Sequence, residues 1–313
     1  STVTDVIEGG YKGFVEGEGA SYKVTGSQTN VGESANTFTY DLNEGTLSEN
    51  YQIEKVEGKL TVIADENGVV VTIKGNSSTV EYTGQEQSVA GYDVVSVSNE
   101  LYTKDDFSFS GDATAKGTEA GTYAMGLKAS DFSNKNNNFT NVSFVVEDGS
   151  LTINPKGVNA SAMTVEAPDD VVYNGKSQQQ KPVVKDGDKT LVEGTDYTLS
   201  YSDDTTNVGT VTVTVTGKGN YSGTTTVTYE ITKAPVTLTS DSKEFTYNGQ
   251  DQSLPNVTVT GDAAELFKSQ VEGLTATGKV KNAGDEATNS IAYSWKKGFT
   301  EDNFGITKNE GKL

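Results

Sequence analysis

Residues 208–232 read VGTVTVTVTGKGNYSGTTTVTYEIT, and no stretch of the chain constrains the fold more tightly. Val211, Val213 and Val215 share one parity, while Thr210, Thr212, Thr214 and Thr216 share the other. A period of two belongs to a strand with one buried face, because successive side chains leave a pleated backbone on opposite sides. After Gly217, Gly219 and Gly223, a second alternation sets Val227, Tyr229 and Ile231 against Thr226, Thr228 and Glu230. Two such runs joined by a glycine-rich turn read as a β-hairpin, and the β-branched residues that fill both suit a half-buried sheet.

Three landmarks extend this reading to the whole chain. An aromatic-x-Gly turn stands at Tyr82-Thr83-Gly84, Tyr173-Asn174-Gly175 and Tyr247-Asn248-Gly249. A small-residue turn stands at Asn30-Val31-Gly32, Ala120-Gly121, Asn207-Val208-Gly209 and Asn282-Ala283-Gly284. An Asn-aromatic pair follows at Asn50-Tyr51, Asn138-Phe139, Asn220-Tyr221 and Asn303-Phe304. Residues 36–60 align without a gap on 289–313 with ten identities in twenty-five positions, and Leu101, Asp106, Phe107 and Phe109 match Leu191, Asp196, Tyr197 and Leu199. Self-similarity at this period marks a tandem array.

The expected architecture is all-β: an elongated array of small sandwich units at 1–65, 66–155, 156–233 and 234–313. Short connectors are expected near Ala64-Asp65-Glu66, Asn154-Pro155-Lys156 and Lys233-Ala234-Pro235. Thr2-Val3-Thr4 matches Val257-Thr258-Val259, so the first unit is read as lacking its opening residues. The last is read as stopping short of its final strand. Ala263-Ala264-Glu265-Leu266-Phe267 has the only helical spacing and is expected to form one turn.

Composition narrows function. The chain has 0 Cys and 0 His, and all 24 basic residues are Lys. The commonest general base, the thiolate nucleophile and the usual zinc ligands are therefore missing, as is bidentate capture of phosphate by Arg. A formal charge of −20 repels nucleic acid and anionic lipid, so neither is an expected partner. No stretch approaches the roughly 20 apolar residues of a membrane helix.

Leu191-Val192-Glu193-Gly194-Thr195-Asp196-Tyr197 and Gly217-Lys218-Gly219-Asn220-Tyr221-Ser222-Gly223 resemble the bacterial Ig-like, mostly-β glycine-rich repeats of MBG and YDG type, found in large surface proteins of Gram-positive bacteria. Val24-Thr25-Gly26-Ser27-Gln28-Thr29-Asn30-Val31-Gly32 looks like a longer variant of the same family. The resemblance implies an Ig-like β-sandwich fold, an extracellular, cell-wall-associated protein and a stalk or adhesin role, with no enzymatic activity and no shared catalytic residues. Domains of similar architecture stiffen themselves with Lys–Asn bonds. Here Lys55 and Lys308 match each other but lie beside Glu and Thr rather than a recurrent Asn.

Candidate sites are few. The acidic pairs Asp105-Asp106, Asp169-Asp170 and Asp203-Asp204 suit turns, since Asp bonds its own backbone, and Asp105, Asp106, Asp203 and Asp204 are also the candidates for calcium. Asp186-Gly187-Asp188 reads as a hairpin tip. Trp295, the only Trp, could form a sugar-stacking platform with Tyr293, but the alignment sets them opposite Leu42 and Tyr40, a parity that points to the core. Sequons at Asn76, Asn138, Asn141, Asn159, Asn220 and Asn256 carry no weight in a bacterial surface protein. The expected function is structural or adhesive, with no cofactor. A module binding host glycans or glycoproteins is the alternative, and a glycoside hydrolase using two carboxylates comes last.

Overall fold

The computed structural model describes residues 5–7 and 10–313. Strand accounts for 48% of it and helix for 6%, so the chain is all-β. The match at Thr2-Val3-Thr4 lies outside the described residues. The chain divides into two compact units. One comprises Ser1–Val80, Glu86–Gly117 and Thr122–Thr152, and the other Glu81–Gln85, Thr118–Gly121 and Ile153–Leu313.

The hairpin forms as its alternation requires. Gly209–Gly217 pairs antiparallel with Thr224–Thr232, in a register that sets Val211 opposite Tyr229 and Val213 opposite Val227. Val211, Val213, Val215, Tyr229 and Ile231 are all buried, while the threonines face outward or lie half-buried. Each fully buried Val contributes on the order of 1.5–3 kcal/mol relative to exposure. With Val171–Val172 and Tyr197–Tyr201 the hairpin builds a four-stranded sheet, and the other sheets among the described residues have two or three strands.

Parallel pairing recurs where a segment opens. Val69–Gly75 runs parallel to Val142–Glu147, and Ala234–Ser240 runs parallel to Phe304–Asn309. Lys156–Gly157 runs parallel to Tyr221–Ser222, and Asp65 makes a parallel bridge to Phe139. In three of the four Asn-aromatic pairs the aromatic thus joins the strand or residue that opens its segment: Phe139 with Asp65, Tyr221 with Lys156, Phe304 with Ala234. The connectors are consequently tighter than their Pro content suggests. Only Lys233 separates Thr224–Thr232 from Ala234–Ser240, and Pro235 lies within the strand opposite Gly305. A single core, including Val211, Tyr229, Val236, Leu238, Phe267 and Phe304, spans the expected boundary at 233 and 234.

The gapless match between 36–60 and 289–313 extends to secondary structure. Phe38–Leu42 corresponds to Ile291–Trp295, and the short 3₁₀ turn Ser48–Asn50 corresponds to Glu301–Asn303. In the second match Phe107 and Tyr197 are both buried, but Leu101 is 79% exposed where Leu191 is 4% exposed, because the adjacent Tyr102 takes the inward position. The helix is longer than the expected single turn: it covers Ala264–Gln270, and the burial of Phe267 and Gln270 supplies what so short a helix lacks on its own.

Candidate functional site

The four Asn-aromatic pairs share one local geometry. In each, the aromatic N–H closes a turn on the carbonyl three residues back: Tyr51 onto Ser48, Phe139 onto Asn136, Tyr221 onto Lys218 and Phe304 onto Glu301. Such a turn places the Asn at the corner, where its amide side chain projects while the aromatic starts a strand. An amide offers both an acceptor and two donors, so it can satisfy a backbone N–H and a second polar group together.

Three of the corners do so on the small-residue turns. In the first unit, Val31 N–H donates to Asn138 Oδ1 at 2.7 Å, and Asn138 Nδ2 donates to Asn30 Oδ1 at 3.0 Å. In the second unit, Ala120 N–H donates to Asn220 Oδ1 at 2.7 Å, and Asn220 Nδ2 donates to Glu119. Val208 N–H donates to Asn303 Oδ1 and Asn303 Nδ2 to Asn207 Oδ1, both at 2.9 Å. Two landmark classes that look independent in sequence are therefore the two halves of one recurrent clamp.

The third landmark completes it. Tyr82 packs edge-on against Tyr221 with ring centroids 5.6 Å apart and planes at 77°, and Tyr173 packs against Phe304 at 5.5 Å and 78°. Both tyrosines are buried, at 5% and 4% exposure. An edge-to-face pair of this kind adds about 0.5–1.5 kcal/mol beyond area burial. Phe139, the aromatic of the corner that grips Val31, packs edge-on against Tyr102 of its own segment instead. The turns that present these tyrosines need glycine at their third position: Gly84, Gly175 and Gly249 have φ of 76°, 75° and 76°, a left-handed conformation unfavourable for residues with a Cβ.

No protein-family model, curated protein or solved structure matches the chain.

The acidic candidates are occupied by local bonds. Asp106 caps a 3₁₀ turn, accepting from Thr103 N–H and Oγ1–H and from Asn136 Nδ2, and the Thr103 backbone bond leads in holding its carboxyl below the ordinary range. Asp204 accepts from the N–H groups of Thr206 and Asn207 and from Asn207 Nδ2. Those bonds lower its pKa, the Asn207 backbone bond most. Asp204 thereby orients the same Asn207 that receives Asn303. Asp105 N–H donates to Thr103 Oγ1, and Asp203 lines a shallow groove. Among the described residues no three acidic groups converge as metal ligands. At the expected hairpin tip, Gly187 turns the chain between Val183–Asp186 and Lys189–Thr190, and the half-hidden Asp186 pairs with Lys156 Nζ at 2.5 Å.

Trp295 and Tyr293 pack into the core cluster of the second unit. Trp295 stacks on Phe304 at 5.6 Å and meets Phe267 edge-on at 5.6 Å, and Tyr293 lies 5.3 Å from Phe267. Burial raises the pKa of Tyr293, and Lys308 Nζ covers its ring at 4.9 Å. A polar groove on the hairpin sheet has a volume of 560 Å³ and is lined by Gln179, Lys181, Glu193, Tyr201 and Asp203 among others. Lys181 and Glu193 pair across it at 2.7 Å.

Proposed function

We propose that the chain is a structural segment of a bacterial cell-surface protein, built from four Ig-like sandwich repeats and serving as stalk or adhesin scaffold without enzymatic activity. The observation that carries this reading is the recurrent clamp. A contact that joins a corner in one repeat to a turn in the preceding one, three times over, supports a tandem array in which each repeat touches the one before it. The resemblance to surface repeats supports the extracellular setting, and the charge of −20 favours repulsion between non-adjacent repeats at low salt. Small-angle X-ray scattering tests it. A compact globule of this length has a radius of gyration of about 20 Å, and a linear array is expected to give about twice that. A value near the compact figure at moderate salt overturns the reading.

The groove beside Lys181 and Glu193 favours a second reading, in which the same scaffold binds host glycans through Tyr201 and the surrounding polar side chains. A glycan and mucin array probed with the chain and with Tyr201→Ala decides it. Binding that the substitution removes supports this reading, and absence of binding leaves the scaffold role alone.

A further inference from the structure

Among the described residues the clamp leaves two halves unmatched. The first is the turn face of residues 243–286. Tyr247 holds the position of Tyr82 and Tyr173, with the same glycine conformation two residues on, yet it is 62% exposed. Beside it, Asn282-Ala283-Gly284 lines a 520 Å³ hollow together with Tyr247 and Val280. The second is the corner at Asn50-Tyr51. It closes the same turn as the three engaged corners, with Tyr51 N–H on Ser48 O at 3.2 Å, but the Asn50 side chain is exposed and makes no hydrogen bond among the described residues. Tyr51 is already positioned, its hydroxyl donating to Glu18 and its ring 4.8 Å from Phe14.

We infer that the face formed by Tyr247 and Asn282-Ala283 is a docking site for the Asn50-Tyr51 corner of a second copy of this chain. The argument is continuity with a contact already made three times. The Asn50 amide would accept from Ala283 N–H and donate to Asn282 Oδ1, as Asn303 does with Val208 and Asn207, while Tyr51 would cover Tyr247 as Phe304 covers Tyr173. The engaged turns carry glycine φ values of 143°, 155° and 149° at Gly32, Gly121 and Gly209, whereas Gly284 stands at 88°. Asp285 holds the unengaged turn in this form by accepting from Lys281 N–H and Asn282 N–H. Docking therefore requires Gly284 to rotate, which glycine permits at little steric cost.

The contact is heterologous, since each copy presents a different surface, so it propagates from copy to copy instead of ending at a two-fold dimer. Within one chain the same contact benefits from an effective concentration of order mM, which separate copies do not share. Association between copies is accordingly weaker than the same contact within one chain.

Sedimentation of the whole chain at about 0.15 M salt, where repulsion between exposed charges is screened beyond about 8 Å, tests the inference. The weight-average mass should climb with concentration past that of a dimer. Asn50→Ala and Tyr247→Ala change exposed side chains and should fold normally by circular dichroism, yet each alone should stay monomeric. Mixed, they should form a one-to-one pair and nothing larger, because one variant keeps an intact face and the other an intact corner. A wild-type chain that stays monomeric up to about 1 mM overturns the inference, as does association of either variant alone at the wild-type level.

Discussion

Asn303 reaches Val208 across ninety-five residues of chain, accepting its backbone N–H at 2.9 Å from a position that is only 2% exposed. The Asn303→Ala variant leaves that N–H without a partner where water cannot readily replace it, a loss of about 1–3 kcal/mol. Asn138 makes the equivalent bonds in a more open setting, so Asn138→Ala should cost less, below about 1 kcal/mol, because solvent takes over. Urea denaturation followed by fluorescence measures the ordering, and equal losses at both positions would contradict it.

Acid should weaken the fold through the carboxylates that cap turns. Asp106 and Asp204 both titrate below their ordinary value of 3.8, held there chiefly by backbone N–H donors. A depressed folded-state pKa means stability that is complete above the ordinary carboxylate value and is lost as pH falls through 3.8 toward the folded value. In Asp204→Asn this contribution is missing at all pH values. The variant should be less stable than the wild type near neutrality and should converge on it in strong acid. Melting temperatures at a series of pH values from 7 to 2 check the convergence.

Trp295 should report a dry environment. Its contacts with Phe267 and Phe304 predict a blue-shifted emission that iodide quenches poorly, whereas ready quenching would reinstate it as an exposed platform. Phe267 is the fully buried ring that both Trp295 and Tyr293 meet edge-on, so Phe267→Ala should cost about 3–5 kcal/mol and shift that emission to the red.

The tyrosine turns offer a matched pair of substitutions. At Gly249 an added Cβ meets open space, and Gly249→Ala should cost only the left-handed backbone penalty of about 1–2 kcal/mol. At Gly175, with nearly the same φ, the Cβ would approach Leu266 Cδ1 to 3.1 Å. Gly175→Ala should therefore cost more than Gly249→Ala by whatever the helix Ala264–Gln270 loses in adjusting. Thermal melts of the two variants decide this, and the reverse order would refute it.

Much of this architecture was legible in the chain because strand parity is a local property. The alternation of Val211, Val213 and Val215 identified both the hairpin and its buried face. The landmarks were legible as recurrences, since Asn220 and Asn303 stand before aromatics in matching contexts. That an Asn of one segment clamps the turn of another was not, because amide side chains bond backbone in any turn and nothing in the spacing selects a partner ninety-five residues away. The connector at Lys233-Ala234-Pro235 misled for a related reason. Pro disfavours the middle of a sheet, but Pro235 sits opposite Gly305 in a parallel pair, where its tertiary setting tolerates it. Helical spacing at 263–267 was too short to show that Gln270, buried against Tyr173 with Nε2–O at 3.0 Å, would extend the helix.

The parallel pairs also impose an order in time. Gly209–Gly217 and Thr224–Thr232 meet through a short loop, but Ala234–Ser240 must wait for Phe304–Asn309, with the helix and several strands made in between. Closing such a long loop is slow, so the hairpin is expected to form first and the parallel pair last. Asn303 immediately precedes Phe304, as Asn220 precedes Tyr221 and Asn138 precedes Phe139. The step that brings in the closing strand is therefore the same step that grips the preceding turn, and a segment completes itself and fastens to its predecessor in one event.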